Sequence, residues 1–468
     1  MKENILAIGY PLPEDIEKLK WYGDFEGCLS LIDQRLGEDI PETLKDKLRM
    51  EKAQIKRMRK NYTVTQEEAI RVLTENIRDF QPQELEQWWK ENVVDWIFVN
   101  GQVRYIRSFY DNLIKIRLDI RERQLHPAVP EPGERTSAQL RDEMIKFMKQ
   151  GGTVTCMMWL RAKMELGPEL CDSDREVKVY LPYPLEKLQS KDVTFEDASH
   201  SFFLAEPKVR IGYPSDYPQR TVMFRGKAKD LKVCEVEYSV KNMVKYVEPK
   251  AEAVTEQPSP ERMEEYLCEQ LPHIAFTPYL RALTKEVVGE ETNPLLKARK
   301  IYDFITTKVT YSYMRSYAAL PVIPEYCASR LRGDCGVQAL TFITMCRIAG
   351  VPAQWQSGLY AHELEAGCHD WATFYVAPYG WLWADCSFGG AGWREGDMDR
   401  WNFYFGNLDP YRVVLASEFQ HDFNPPIEQL RADPYDNQLG EVELVGGYAE
   451  PDWFEGSVQT LNVVIWKE

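Results

Sequence analysis

The 468-residue chain lacks any run of about 18 apolar residues, so a membrane-spanning helix is not expected. Its N-terminus, MKENILAIGYPLPEDIEKLK, has no extended apolar core and carries acids early, unlike a secretory leader. None of its ten cysteines forms a C-x-x-C pair, so neither a zinc ribbon nor a thioredoxin-type site is indicated. Without an export signal, reduced thiols in a cytoplasm are the expectation. Internal repeats, low-complexity tracts and D-x-[DN]-x-[DN]-G calcium loops are also missing, and the pattern calls for no cofactor. Basic residues are in deficit: 57 Lys and Arg stand against 73 Asp and Glu, a net charge of −16. That balance disfavours nucleic acid or an anionic membrane as the main partner. What is present is 44% hydrophobic and 28% charged, a globular composition long enough for about three domains.

The acidity is uneven. Residues 1–130 carry a net charge of −2 and the remainder −14. Apolar spacing predicts helices near 13–36, 42–60, 65–78 and 82–92, with Thr65 and Glu68 forming a capping box. Asn100-Gly101, between WIFV and QVRYI, predicts a hairpin, so residues 1–125 read as a helical domain ending in one. The basic run Lys52, Lys56, Arg57, Arg59, Lys60 reads as a solvated helix face rather than a nucleic-acid surface. A Pro-rich break follows at 127–133. Short alternating runs then suggest a β-sandwich over 135–248. A polar stretch, 249–260, reads as a flexible linker. Residues 261–405 begin with helices and become dense in Tyr, Trp, Gly and Cys. Residues 406–468 read as an extension packed on that core, with late strands near 441–446 and 457–466.

The chemistry concentrates in RGDCGVQALTFITMCRIAGVPAQ, where an apolar helix predicted over 337–349 stops at Gly350. Cys335 sits at its start. Free N–H groups and the positive end of the helix dipole favour a thiolate there, and the Cys335 N–H suits an oxyanion hole. Downstream, His369–Val376 and Trp381–Asp385 alternate as strands around the break 377–380, predicting a hairpin. His369 opens one strand and Asp385 closes the other, so Cys335, His369 and Asp385 read as nucleophile, base and orienter. Asp370 should point to the opposite strand face from His369, and His362 is a lesser alternative base. A lone Cys is more often core packing, but the joint pattern outweighs that reading. Cys368 and Cys386 flank the His and Asp, yet strand alternation keeps Cys368 from sharing a metal with His369, so no metal site is expected.

R-G-D-C-G, the helix ending R-x-A-G-V-P-A, H-D-W and G-W-L-W-A-D together resemble the core of the transglutaminase-like superfamily over residues 332–388. The resemblance implies an α+β fold: a papain-like core with a central helix on an antiparallel sheet, after an all-β sandwich and the helical domain. It implies the same three roles for Cys335, His369 and Asp385, and a second oxyanion donor upstream of the nucleophile. Tyr311, Tyr313, Tyr317 and Tyr326 are candidates, with Tyr311 preferred. The implied activity is attack on an amide bond through an acyl-enzyme. Hydrolysis is favoured over protein-glutamine cross-linking or an idle peptide-binding module. The expected partner is a peptide or protein substrate, and the acidic field suits an amine-bearing one.

Overall fold

The computed structural model describes residues 7–91, 93–127, 135–200, 208–212, 214–428, 431, 435–447, 449 and 453–468. Most of the Pro-rich break lies outside them.

The helical region follows its local signals, except that its hairpin is not terminal: helices Phe109–Ile116 and Leu118–Arg121 follow it. Helices run Glu14–Tyr22, Phe25–Leu36, Glu42–Asn61, Gln66–Asn76 and Pro82–Lys90. Gly23, at φ 83°, splits the first predicted helix in two. The Thr65 hydroxyl accepts from the Glu68 N–H while the Glu68 carboxylate takes the Thr65 N–H, completing the capping box. Asn100 and Gly101 have φ of 49° and 72°, the two positive values a tight hairpin between Trp96–Val99 and Gln102–Tyr105 requires. Ile16, Ile32, Leu48, Ile55, Leu73 and Leu113 meet in one core. Within the basic run, Lys52 and Arg59 pair with Asp33 and Glu26 of the neighbouring helix.

Two four-stranded sheets form the β-sandwich. One has the order Glu441–Leu444, Glu176–Pro182, Thr221–Lys227, Lys208–Ile211. The other has the order Phe454–Lys467, Thr153–Leu166, Val233–Lys245, Ser190–His200. Thr153–Leu166 buries every second residue, as a strand with one face on a core must. Two expectations need correction. The tail expected on the catalytic core divides: Arg412–Ala416 joins the core sheet and Phe419 and Tyr435 its interior, whereas the last two strands complete the sandwich, pairing with Glu176–Pro182 and Thr153–Leu166. Residues 249–260 do not hang as a free linker. Tyr379 accepts from the Lys250 N–H, the Thr255 N–H donates to the Ala377 carbonyl, and Asn293 donates to the Ala251 carbonyl.

Between these bodies lies an antiparallel sheet with the order Phe405–Gly406, Gly380–Ala384, Ala366–Val376, Ala353–Ala361, Arg412–Ala416. Alternation gives its central strand two faces. Ala372, Phe374 and Val376 pack with the helix Cys335–Ile348, whereas Trp371 joins the sandwich core. That helix is buried on nearly every side, so its position is fixed by packing all round. The architecture is α+β, and among the described residues no helix is long and apolar enough to cross a membrane.

Candidate active site

Cys335 opens the central helix. Asp334 is its N-cap, accepting from the Val337 N–H at 3.1 Å, an arrangement commonly worth about 1 kcal/mol. The Tyr317 hydroxyl donates to the same Asp334 oxygen at 2.6 Å and lies over Gly336. A Cβ at Gly336 would stand 2.2 Å from that hydroxyl and 2.6 Å from Asp370 Oδ2, so only glycine fits. The thiol is partly exposed.

His369 and Asp385 come together as predicted. His369 Nε2 lies 2.8 Å from Asp385 Oδ2, both side chains buried. The pairing leaves Nδ1 as the ring nitrogen free for proton transfer. Asp385 is also a helix N-cap, accepting from the Phe388 N–H and the Ser387 hydroxyl through Oδ1. The His369 ring lies against Phe388 and Trp371.

The thiol has a different nearest partner. Cys335 Sγ is 3.6 Å from Asp370 Oδ2, and no hydrogen bond joins it to His369. Asp370 does point away from His369, as alternation requires, and that direction is toward Cys335. Gln438, from the tail, donates to Asp370 Oδ1 and to the His369 carbonyl.

These contacts correct the expected electrostatics. Burial, then the Asp370 and Asp334 carboxylates, push the Cys335 thiol up, against a hydrogen bond from the Asp370 N–H to the sulfur. The helix dipole is outweighed, and the resting group is a protonated thiol. Burial likewise lowers the His369 imidazole despite Asp385, so it rests neutral. Burial pushes Asp334 up to about 6, against hydrogen bonds from Tyr317 and Val337.

The sequence reading missed Arg412. It is fully buried, donates to Asp385 Oδ2 at 2.7 Å, and makes two bonds to Asp409 Oδ2 at 2.9 and 2.6 Å. The guanidinium lies over the rings of Phe388 and Tyr360. Asp385 is held far below the usual carboxylate range by His369 and Arg412, against its burial. The available signal was Asp409 and Arg412 three residues apart beside the apolar VVLA.

Of the tyrosines, Tyr311 lies near enough for the Cys335 and Asp334 charges to act on it, in a short strand paired with Arg332–Gly333. Tyr317 lies over Gly336 and bonds Asp334. Tyr313 is exposed, and Tyr326 lies beneath Arg330. His362 is buried apart from this group, against Tyr360 and Tyr411. Cys368 is exposed and Cys386 buried.

No curated protein matches the chain in sequence. Several solved structures are similar at low identity, among them three. A candidate cysteine protease from Cytophaga hutchinsonii has a TM-score of 0.42 and 12% identity, over 68% of this chain and 90% of that one. The periplasmic domain of TgpA from Pseudomonas aeruginosa has a TM-score of 0.30 and 12% identity, over 55% and 94%. A candidate protease from Parabacteroides distasonis has a TM-score of 0.22 and 11% identity, over 47% and 42%. The family model of the transglutaminase-like superfamily matches residues 281–386, a span that holds Cys335, His369 and Asp385. The chain therefore carries a transglutaminase-like superfamily core across residues 281–386.

Proposed function

We propose that the protein is a thiol enzyme that acts on amide bonds of a peptide or protein through an acyl-enzyme, with water as the favoured acceptor. The observation that carries this is the buried His369–Asp385 bond of 2.8 Å, with a half-buried Cys335 at a helix start near enough for the Asp385 charge to act on it. Reaction requires the thiol to leave Asp370 and reach His369 Nδ1. His369 takes its proton as Sγ bonds to the amide carbon, and the carbonyl electron pair moves to oxygen. The Cys335 N–H holds this oxyanion, with Tyr311 as the second donor. When the C–N bond breaks, His369 returns the proton to the leaving amine. It then takes a proton from water as the hydroxide adds to the thioester carbon, and returns that proton to the sulfur as the C–S bond breaks, leaving a carboxylic acid and the thiol. Asp385 orients the imidazole, and Arg412 holds Asp385. Ten free cysteines suit a reducing compartment such as a cytoplasm.

Mass spectrometry of protein mixed with a peptide library tests this. An acyl adduct on wild-type Cys335, missing in Cys335→Ala, supports the nucleophile. Release of free acid without added amine supports hydrolysis, whereas release only as an amine conjugate supports acyl transfer. The thiol's contact with Asp370 rather than His369 favours one second reading, an idle peptide-binding module. Peptide binding with no adduct at any pH would select it.

A further inference from the structure

The function proposed above leaves residues 1–125 without a role, yet their contacts with the core are specific. Asn112, on the helix Phe109–Ile116, is 1% exposed. Its Oδ1 accepts from the Tyr313 N–H at 2.8 Å, and its Nδ2 donates to Ser312 Oγ at 3.0 Å. Ser312, with no exposed surface, also accepts from Arg332 Nη2 at 2.6 Å and donates to the Tyr313 carbonyl at 3.2 Å. Its hydroxyl is thus fully used: two bonds accepted and one donated. Arg332, itself 2% exposed, opens the segment Arg332-Gly333-Asp334-Cys335. The Ser312 N–H donates to the Gly333 carbonyl at 3.2 Å, a second tie to the same segment.

Around this buried line stand further contacts of the same kind. Lys115 lies 4.4 Å from the ring centroids of Tyr311 and Tyr313 and donates to the Tyr313 hydroxyl at 2.9 Å. Asp95 binds Arg315 at 2.9 Å and accepts from the Tyr62 hydroxyl at 2.5 Å. The helical region therefore grips 311–315, the segment between Tyr311 and the Tyr317 that covers Gly336. The buried Asn112–Ser312–Arg332 line fixes one arrangement, because breaking it leaves a donor or acceptor unpaired.

We infer that Asn112 is a positioning residue for Cys335, and that residues 1–125 are a working part of the reactive site. This rests on reading Cys335 as the nucleophile. Asn112 acts through Ser312 and Arg332 to hold the Cys335 segment closed beneath Tyr311 and Tyr317. Without it, the segment loosens and the half-buried thiol becomes more accessible.

The test is iodoacetamide labelling of the full-length protein between pH 6 and 10, with each cysteine followed by mass spectrometry. Asn112→Ala and Ser312→Ala are compared with wild type. Either substitution should raise Cys335 labelling near neutrality by about two- to thirtyfold, the usual span of coupling effects, and move its pH midpoint down. The buried Cys327 and Cys346 should stay protected, and the exposed Cys268 should keep its rate. Ser312→Ala removes one oxygen and leaves the Asn112–Tyr313 bond, so it serves if Asn112→Ala folds poorly. An unchanged or slower Cys335 profile in both variants overturns the inference. So does a rise shared with Cys327 and Cys346, which signals general loosening. Failure to find an acyl adduct on wild-type Cys335 is a separate result, and it would remove the nucleophile reading while leaving this coupling measured.

Discussion

Cys335 Sγ rests 3.6 Å from Asp370 Oδ2, on the strand face opposite the one that carries His369. The strand alternation that sends His369 to Asp385 sends Asp370 to the thiol. The nucleophile candidate is thus stored beside an anion that disfavours its ionisation.

Replacing that anion should release the thiol. In Asp370→Asn the repulsion that lifts the Cys335 thiol is gone, so the midpoint of its alkylation profile should move to lower pH. Each unit of movement corresponds to about 1.4 kcal/mol. Cysteine-resolved iodoacetamide rates measure it, and a midpoint that stays or rises would show that Asp370 does not act on the thiol.

Arg412→Met should destabilise the protein strongly. The substitution leaves Asp385 and Asp409 buried without their cation, a change that typically costs about 3–5 kcal/mol. Thermal melting of the pair of proteins measures the loss. A melting temperature within a degree or so of wild type would mean the two carboxylates find other partners.

His273 makes the fold acid-sensitive. It is buried, lies 3.0 Å from the Tyr435 hydroxyl through Nε2, and accepts from the Ile323 N–H through Nδ1. Burial lowers it from 6.5 to about 3. The unfolded chain therefore binds a proton below pH 6.5 that the folded chain refuses until about 3, and stability falls as pH falls through that window. His369, also lowered by burial, adds in the same direction. His273→Gln should flatten the dependence of melting temperature on pH between 6.5 and 4. The same slope in variant and wild type would assign the acid sensitivity to other groups.

Gly336→Ala should disturb the site by crowding it rather than by removing a charge. The new methyl would meet the Tyr317 hydroxyl and Asp370 Oδ2, and overpacking of this kind costs about 1–3 kcal/mol. A lower melting temperature with altered Cys335 labelling is expected. Wild-type values for both would mean that Tyr317 moves aside freely.

The parts of this molecule that were legible in the sequence are those set by local rules. The Thr65–Glu68 cap, the Asn100-Gly101 turn and the stop at Gly350 each depend on a few adjacent residues. The His369–Asp385 pairing was readable because a hairpin brings its own ends together. The rest depended on distant partners. Alternation said that Asp370 turns from His369 but not that the Cys335 helix covers that face. Arg412 becomes a partner of Asp385 only once its strand joins the sheet beside Ala353–Ala361. The strand at 457–466 was visible as an alternating run, but its partner lies some three hundred residues earlier. The linker looked free because polar, Pro-containing chain carries no sign of the surface it will bind.

The last two strands have a consequence for how the chain is made. Phe454–Lys467 and Glu441–Leu444 close sheets whose other strands lie within 153–245. On a ribosome, the early strands emerge with an open edge, and Cys335 and its helix are synthesised before the sandwich is closed. Long-range pairing of this kind is slow and leaves unpaired strand edges that other chains can join. Translation stalled before Phe454–Lys467 has emerged would leave the Thr153–Leu166 edge bare, a target for aggregation and for quality-control proteases. Biogenesis, rather than the finished protein, is where this architecture is most vulnerable.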